Sequence, residues 1–190
     1  VGHDWGGLIA QETAMRYPSL VKKLILINSP HPRTFWRHLW INPRQWWRNR
    51  QIFFFQLPKL PEALLGRQAC GALLKGAFEN PDIVPGTFNH KDLEYLQMTF
   101  NKSGSLEAAI NSYRALRFAP LINWEPRRSI KADTLVLWGL RRPHYGQELA
   151  RAMNEHFEGL FRLHFFAQGG HWLHEEKPDE HGDLQQHRKA

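Results

Sequence analysis

With 190 residues, 42% of them hydrophobic and 13% aromatic, the chain can bury the core of one globular domain plus an inserted subdomain, and disorder throughout is excluded. Its formal charge of +7 raises nucleic acid as a partner, but the basic residues form no compact run and no recognised nucleic-acid module accompanies them, so none is expected. A single cysteine, Cys70, excludes an internal disulfide framework and suits a reducing, cytoplasmic setting, and no apolar run is long enough to span a membrane.

The chain opens on Val1-Gly2-His3-Asp4-Trp5-Gly6-Gly7 and runs directly into an apolar helical pattern. This is the G-x-nucleophile-x-G form of a strand-to-helix elbow, which lifts one side chain clear of a sheet edge. The glycines on either side of the nucleophile are expected because a tight turn leaves its neighbours no room for a Cβ. The nucleophile position holds Asp4 in place of the usual serine. A serine would imply acyl transfer, whereas an aspartate implies attack on a saturated carbon and an ester that water must then open.

Residues 7–17 place Leu8, Ile9, Thr13, Ala14 and Tyr17 at helical spacing, and Pro18 ends the run. Residues 21–27 read as a short apolar strand that closes in a turn containing Pro30, His31 and Pro32. Strand, elbow, helix and strand form the start of a parallel sheet. From Arg33 to Arg128 the alternation stops, and the stretch reads as helices broken by prolines, clearest over 93–100 and 106–116. A buried-type strand follows over 134–138, then a helix over 146–157 and a last strand over 160–166 that leads to Gln168-Gly169-Gly170-His171. The fold class is therefore α/β, with residues 1–32 and 129–174 forming the core around a helical insertion over 33–128. Residues 175–190 are strongly polar and are expected to be frayed or disordered.

Arg33, Arg37, Arg44, Arg48 and Arg50 alternate with Trp36, Trp40, Trp46 and Trp47. That texture suits peripheral contact with an anionic membrane, but the preferred reading is a helix with its tryptophans packed inward and its arginines solvated. No cofactor is implied, and no metal site is expected, because the histidines lack ligand spacing and Cys70 stands alone.

Opening an aspartyl ester needs a base to activate water. His171 is the candidate, since it follows the last predicted strand after two glycines, and open α/β sheets build their sites at the C-terminal ends of strands. Against it stands the ordinary surface histidine, of which the chain has several.

Several segments, in order, resemble the epoxide hydrolases of the α/β-hydrolase fold. They are Gly2-His3-Asp4-Trp5-Gly6-Gly7, Asn28-Ser29-Pro30-His31-Pro32, Phe55-Gln56-Leu57-Pro58, Ile110-Asn111-Ser112-Tyr113-Arg114, Leu135-Val136-Leu137-Trp138-Gly139 and Gly170-His171-Trp172. The elbow alone is shared with haloalkane dehalogenases, and the Tyr113 segment favours epoxide hydrolases. The resemblance implies the C-terminal part of an α/β-hydrolase sheet with an inserted helical cap, acting on a small apolar epoxide, or on a haloalkane in the rival reading. It implies Asp4 as nucleophile, His171 as general base, Tyr113 as proton donor to the leaving oxygen and the Trp5 backbone N–H as an oxyanion donor.

The sequence also departs from the family pattern. Gln51 occupies the position of the family's other cap tyrosine, and it cannot protonate an alkoxide. Arg142 occupies the expected position of the acid that orients the histidine, and Asn28 stands where some dehalogenases carry that acid instead. Glu148 is nearby in sequence, but no spacing argument brings it to His171. The family's His-Gly-x-Pro oxyanion loop and first strands are expected upstream of Val1. These departures leave a third reading open, that of a catalytically inactive relative which binds a ligand or partner.

Overall fold

The computed structural model describes residues 1–65, 83–116, 129–141 and 145–178. Cys70, Arg142 and residues 179–190 lie outside them. Two compact units form. The first holds residues 1–48, 83–84, 129–141 and 145–178, and the second holds 49–65 and 85–116.

The first unit is built on a four-stranded, all-parallel sheet in the order β1 (Gly2–His3), β2 (Lys23–Ile27), β3 (Asp133–Gly139), β4 (Phe161–Phe166). Leu26 pairs with Gly2 on one side and Val136 on the other, and Val136 pairs in turn with Leu163. Leu24, Leu26, Val136, Leu137 and Trp138 are buried, as near-continuous apolar strands in the middle of a parallel sheet must be. Burying each such side chain contributes roughly 1.5–3 kcal/mol. Strand β4 alternates instead, with Arg162 and His164 exposed, which suits its place at the edge. Ile27, Leu137 and Phe166 pack with Leu173, from the short helix that follows the last strand, into one core cluster.

Strand β1 turns into helix α1 (Trp5–Arg16) through Asp4, whose backbone adopts φ 47° and ψ −113°. Such a conformation costs a residue with a Cβ on the order of 1–3 kcal/mol, so the surroundings must hold it. The Asp4 N–H donates to the Ile27 carbonyl at 3.2 Å. The Asp4 carbonyl accepts from Gly7 N–H at 3.0 Å, Leu8 N–H at 3.2 Å and the Ser29 hydroxyl at 2.8 Å. The steric demand for glycine falls differently from the sequence expectation. A Cβ on Gly2 would lie 2.6 Å from Gly7 Cα, and one on Gly7 would lie 2.3 Å from Ser29 Cβ. A Cβ on Gly6 would meet nothing within 4 Å. The turn thus excludes side chains at Gly2 and Gly7, where helix start, strand and the Ser29 turn converge, and leaves Gly6 open.

Helices α2 (Pro32–Ile41) and α3 (Pro43–Arg48) follow β2 within the first unit. The expectation that their tryptophans pack inward holds for Trp36, which is 9% exposed, and not for the others. Trp40, Trp46 and Trp47 are 73%, 44% and 63% exposed, with Ile41 beside them at 65%. The reason is helical phase: Phe35, Trp36 and Leu39 occupy the inward stripe of α2, and Trp40 falls outside it. The helix expected over 146–157 is α-helical only at Gln147–Ala152 and continues as a 3₁₀ turn, Met153–His156.

His31 begins α2 as its N-cap, its Nδ1 accepting from the Arg33 N–H at 3.3 Å. Its ring is fully buried and stacks on His156, with centroids 3.9 Å apart and planes inclined by 19°. His156 also hydrogen-bonds Thr34 Oγ1 at 3.0 Å. Burial, helped by His156 and Arg33, lowers the His31 pKa from 6.5 to about 2, and burial lowers that of His156 as well. The His31 ring is therefore held neutral.

Two predictions follow from this packing. Gly7→Ala should lower the unfolding free energy by about 2 kcal/mol or more, and Gly6→Ala should leave it within about 1 kcal/mol, read by urea denaturation. The unfolded chain takes up the His31 and His156 protons below pH 6.5 and the folded chain resists them, so stability falls as pH drops from 6.5 towards 2. The slope from His31 should approach about 1.4 kcal/mol per pH unit, with a smaller contribution of the same sign from His156. His31→Asn, which keeps an N-cap acceptor and cannot titrate, should flatten that slope between pH 6.5 and 4.5.

Candidate active site

Because every strand runs the same way, the residues that follow β1, β2, β3 and β4 all emerge at one edge of the sheet. Asp4 follows β1, Asn28 follows β2 and His171 lies five residues beyond β4. Asp4 heads helix α1, whose first N–H groups, beginning with that of Trp5, lie at the positive end of the helix dipole. A carboxylate or a developing oxyanion is stabilised there.

Asn28, fully buried and at φ 47°, ties this edge together. Its N–H donates to the Leu137 carbonyl at 2.9 Å, and its Oδ1 accepts from the Gly139 N–H at 2.9 Å. Its Nδ2 donates to the carbonyls of Gly170 at 2.8 Å and His171 at 2.9 Å. The His171 carbonyl also accepts from His3 Nε2 at 2.9 Å, which fixes the proton of His3 on that nitrogen. The ring of His3 lies 4.8 Å from that of His171 and 4.5 Å from that of His174, and Trp172 meets His171 edge-to-face at 5.0 Å.

The fraying expected from residue 175 is not found over the described residues 175–178. Helix α8 spans Gln147–Ala152 and the helical turn α9 spans Leu173–Glu176, in which Glu176 is only 9% exposed. Its Oε2 accepts from the Gly170 N–H at 2.6 Å and its Oε1 from the Trp172 N–H at 3.1 Å. Sequence reasoning missed Glu176 because it counted only the polarity of the segment. The available signal was spacing: a carboxylate one helical turn beyond Trp172 reaches back to the free N–H groups at the start of that turn.

Glu148 is engaged elsewhere, its Oε1 lying 3.7 Å from Arg48 Nη1. Arg142, at the expected place of the orienting acid, falls outside the described residues. Among the described residues no group of three or more His, Cys, Asp or Glu could hold a metal ion. Nor is any helix among them long and apolar enough to cross a membrane.

The second unit comprises α4 (Arg50–Phe54), α5 (Leu60–Leu65), α6 (His90–Phe100) and α7 (Ser105–Ala115). It brings the Phe55-Gln56-Leu57 and Tyr113-Arg114 segments together. The Phe55 and Tyr113 rings pack at 4.8 Å, and Gln56 Nε2 donates to the Tyr113 carbonyl at 2.9 Å. Arg114 donates to the carbonyls of Phe55 at 3.2 Å and Leu57 at 2.7 Å, and pairs with Glu62. The Arg114 hydrogen bond holds the Glu62 carboxyl below its ordinary pKa. Tyr113 is thus fixed on both sides of its peptide, and Gln51 lies on α4, its carbonyl accepting from the Phe55 N–H.

Comparison with known proteins fits this architecture. A family model described as alpha/beta hydrolase fold matches residues 1–178. The chain is 34% identical over 184 residues to epoxide hydrolase 4 of Mus musculus, covering 94% of this chain and 50% of that one. It is 32% identical over 180 residues to the AB hydrolase superfamily protein YfhM of Bacillus subtilis (strain 168), covering 94% and 60%. Among solved structures, an epoxide hydrolase mutant from Bacillus megaterium complexed with its product (R)-3-[1]naphthyloxy-propane-1,2-diol superposes with a TM-score of 0.81 at 26% identity, covering 97% of this chain and 66% of that one. The chain spans about half to three fifths of the length of these curated relatives. By the sheet, the elbow and the family match over residues 1–178, this chain belongs to the alpha/beta hydrolase fold family, with epoxide hydrolases among its relatives.

Proposed function

We propose that this chain supplies the nucleophile and base of an enzyme that hydrolyses a small apolar epoxide to a vicinal diol. The observation that carries the reading is Asp4, held at φ 47° at the head of α1 on the sheet edge from which the His171 loop also emerges. Similarity to epoxide hydrolases supports the choice of an epoxide over an acyl substrate. An Asp4 carboxylate oxygen attacks an epoxide carbon, the carbon–oxygen bond of the ring breaks, and Tyr113 gives its proton to the departing oxygen. His171 then takes a proton from water, which adds to the ester carbonyl. The Trp5 N–H stabilises the resulting oxyanion. As it collapses the acyl carbon–oxygen bond breaks and His171 returns its proton to the leaving alkoxide. The carboxylic proton left on Asp4 restores Tyr113, and the diol leaves with one oxygen from Asp4.

A single turnover in ¹⁸O-water, run on the full protein that carries this chain, tests the covalent route. The first diol should contain no label and Asp4 should gain it; label in the first diol would exclude the ester. Asp4→Asn should abolish turnover. Halide release from a simple haloalkane without epoxide turnover would favour dehalogenation, the rival chemistry at the same aspartate.

The exposure of Trp40, Ile41, Trp46 and Trp47 supports a peripheral contact with an anionic membrane surface. From Thr13 to Pro61 the sequence has no acidic residue and nine lysines or arginines, so these side chains lie in a strongly cationic segment. Exposed tryptophans with surrounding arginines suit the headgroup region of such a surface. Co-sedimentation with phosphatidylcholine vesicles is expected only when phosphatidylglycerol is included, and should be lost in high salt and in Trp40→Ala/Trp47→Ala. Equal recovery in the supernatant with both vesicle types would refute the contact.

A further inference from the structure

The His171 loop is preceded by Gly169-Gly170, a sequence with more backbone freedom than a positioned base tolerates. Four polar backbone groups around His171 are nonetheless all occupied by two side chains. The Gly170 and Trp172 N–H groups donate to the two oxygens of Glu176, and the Gly170 and His171 carbonyls accept from Asn28. Only a carboxylate offers two acceptors side by side at this reach. A glutamine of the same shape would set its own N–H against one of the two backbone donors. Glu176 is also the only Asp or Glu among the described residues that is buried.

We propose that Glu176 is the positioning residue of the base, its carboxylate clamping the N–H groups of the two residues on either side of His171 and setting a negative charge beside the loop. The proposal rests on the reading of His171 as general base. The groups facing His171 give the charge its use. His3 from β1 and His174 from α9 bring two further imidazoles close to it. Glu175 Oε1 lies 3.8 Å from His174 Nε2 and stays half in solvent, and Asp4 adjoins His3 in the chain. A buried carboxylate under the loop favours the imidazolium that forms when water is deprotonated, which neighbouring imidazoles oppose.

The experiment uses Glu176→Gln in the full protein, with Glu175→Gln as the control. Glu176→Gln should lower kcat about 10- to 100-fold with KM little changed. Because attack by Asp4 does not need the base, the alkyl-enzyme ester should accumulate in a single turnover. The His171 imidazole, followed by NMR, should titrate at lower pH, and the Gly170 and Trp172 amides should exchange faster with solvent. Glu175→Gln should leave the amide exchange and kcat near wild type and move the His171 midpoint less than Glu176→Gln does. An unchanged His171 midpoint and unchanged amide protection in Glu176→Gln would overturn the proposal. Those two readouts need no turnover, so a wild-type protein that fails to hydrolyse epoxides would refute the proposed function and leave them standing. Should Glu176→Gln not fold, Glu176→Asp keeps the charge with a shorter reach. It should slow ester hydrolysis while its His171 midpoint stays nearer the wild-type value, and wild-type rates in that variant would equally overturn the proposal.

Discussion

The candidate site depends on one buried amide. Asn28 sits where β2 ends, and its backbone and side chain together bond to Leu137, Gly139, Gly170 and His171. Parallel strands have no hairpins to fix their ends against one another, so the C-terminal edge must be fastened by the loops that leave it. A fully buried asparagine can do this because it presents two donors and an acceptor in one plane, and the low surrounding dielectric makes each bond costly to lose. An aspartate at this position would set a charge against two carbonyl oxygens. The same residue type that removes one candidate orienting acid therefore supplies the fastening of the loop.

The elbow is a second constraint of the same kind, steric rather than polar. Gly2, Gly7 and Ser29 converge so closely that strand, helix and following turn have a single mutual arrangement. The unfavourable φ of Asp4 is tolerated because its own N–H and C=O are both engaged, by Ile27 on one side and by Gly7, Leu8 and Ser29 on the other. Strain at Asp4 and rigidity around it are two aspects of one packing arrangement.

Much of this was legible in the sequence. The apolar runs at β2 and β3 and the elbow motif needed only local pattern, since a strand buried on both faces has to be apolar and a tight turn has to contain glycine. The order of the segments then implied the parallel sheet. Which glycine the turn requires was not legible, because the clash at Gly7 comes from Ser29, more than twenty residues away in the chain. The tryptophans misled for a similar reason: a residue's type states what burial would contribute, and the phase of α2 decides who occupies the inward stripe.

The amino-acid sequence by itself determined the fold class, the aspartate at the elbow and the histidine of the loop after the last strand, since each is written in contiguous residues and their spacing. Tertiary structure decided what fastens the loop of that histidine to the sheet. Glu176, whose two oxygens meet the N–H groups of Gly170 and Trp172, acts locally and left a mark in its spacing. Asn28 looks like a missing acid until β2, β3 and the loop after β4 come together around it. Hydrogen bonds between residues more than a hundred positions apart leave no periodic mark on a sequence, because partners are chosen by geometry that exists only once the sheet has formed.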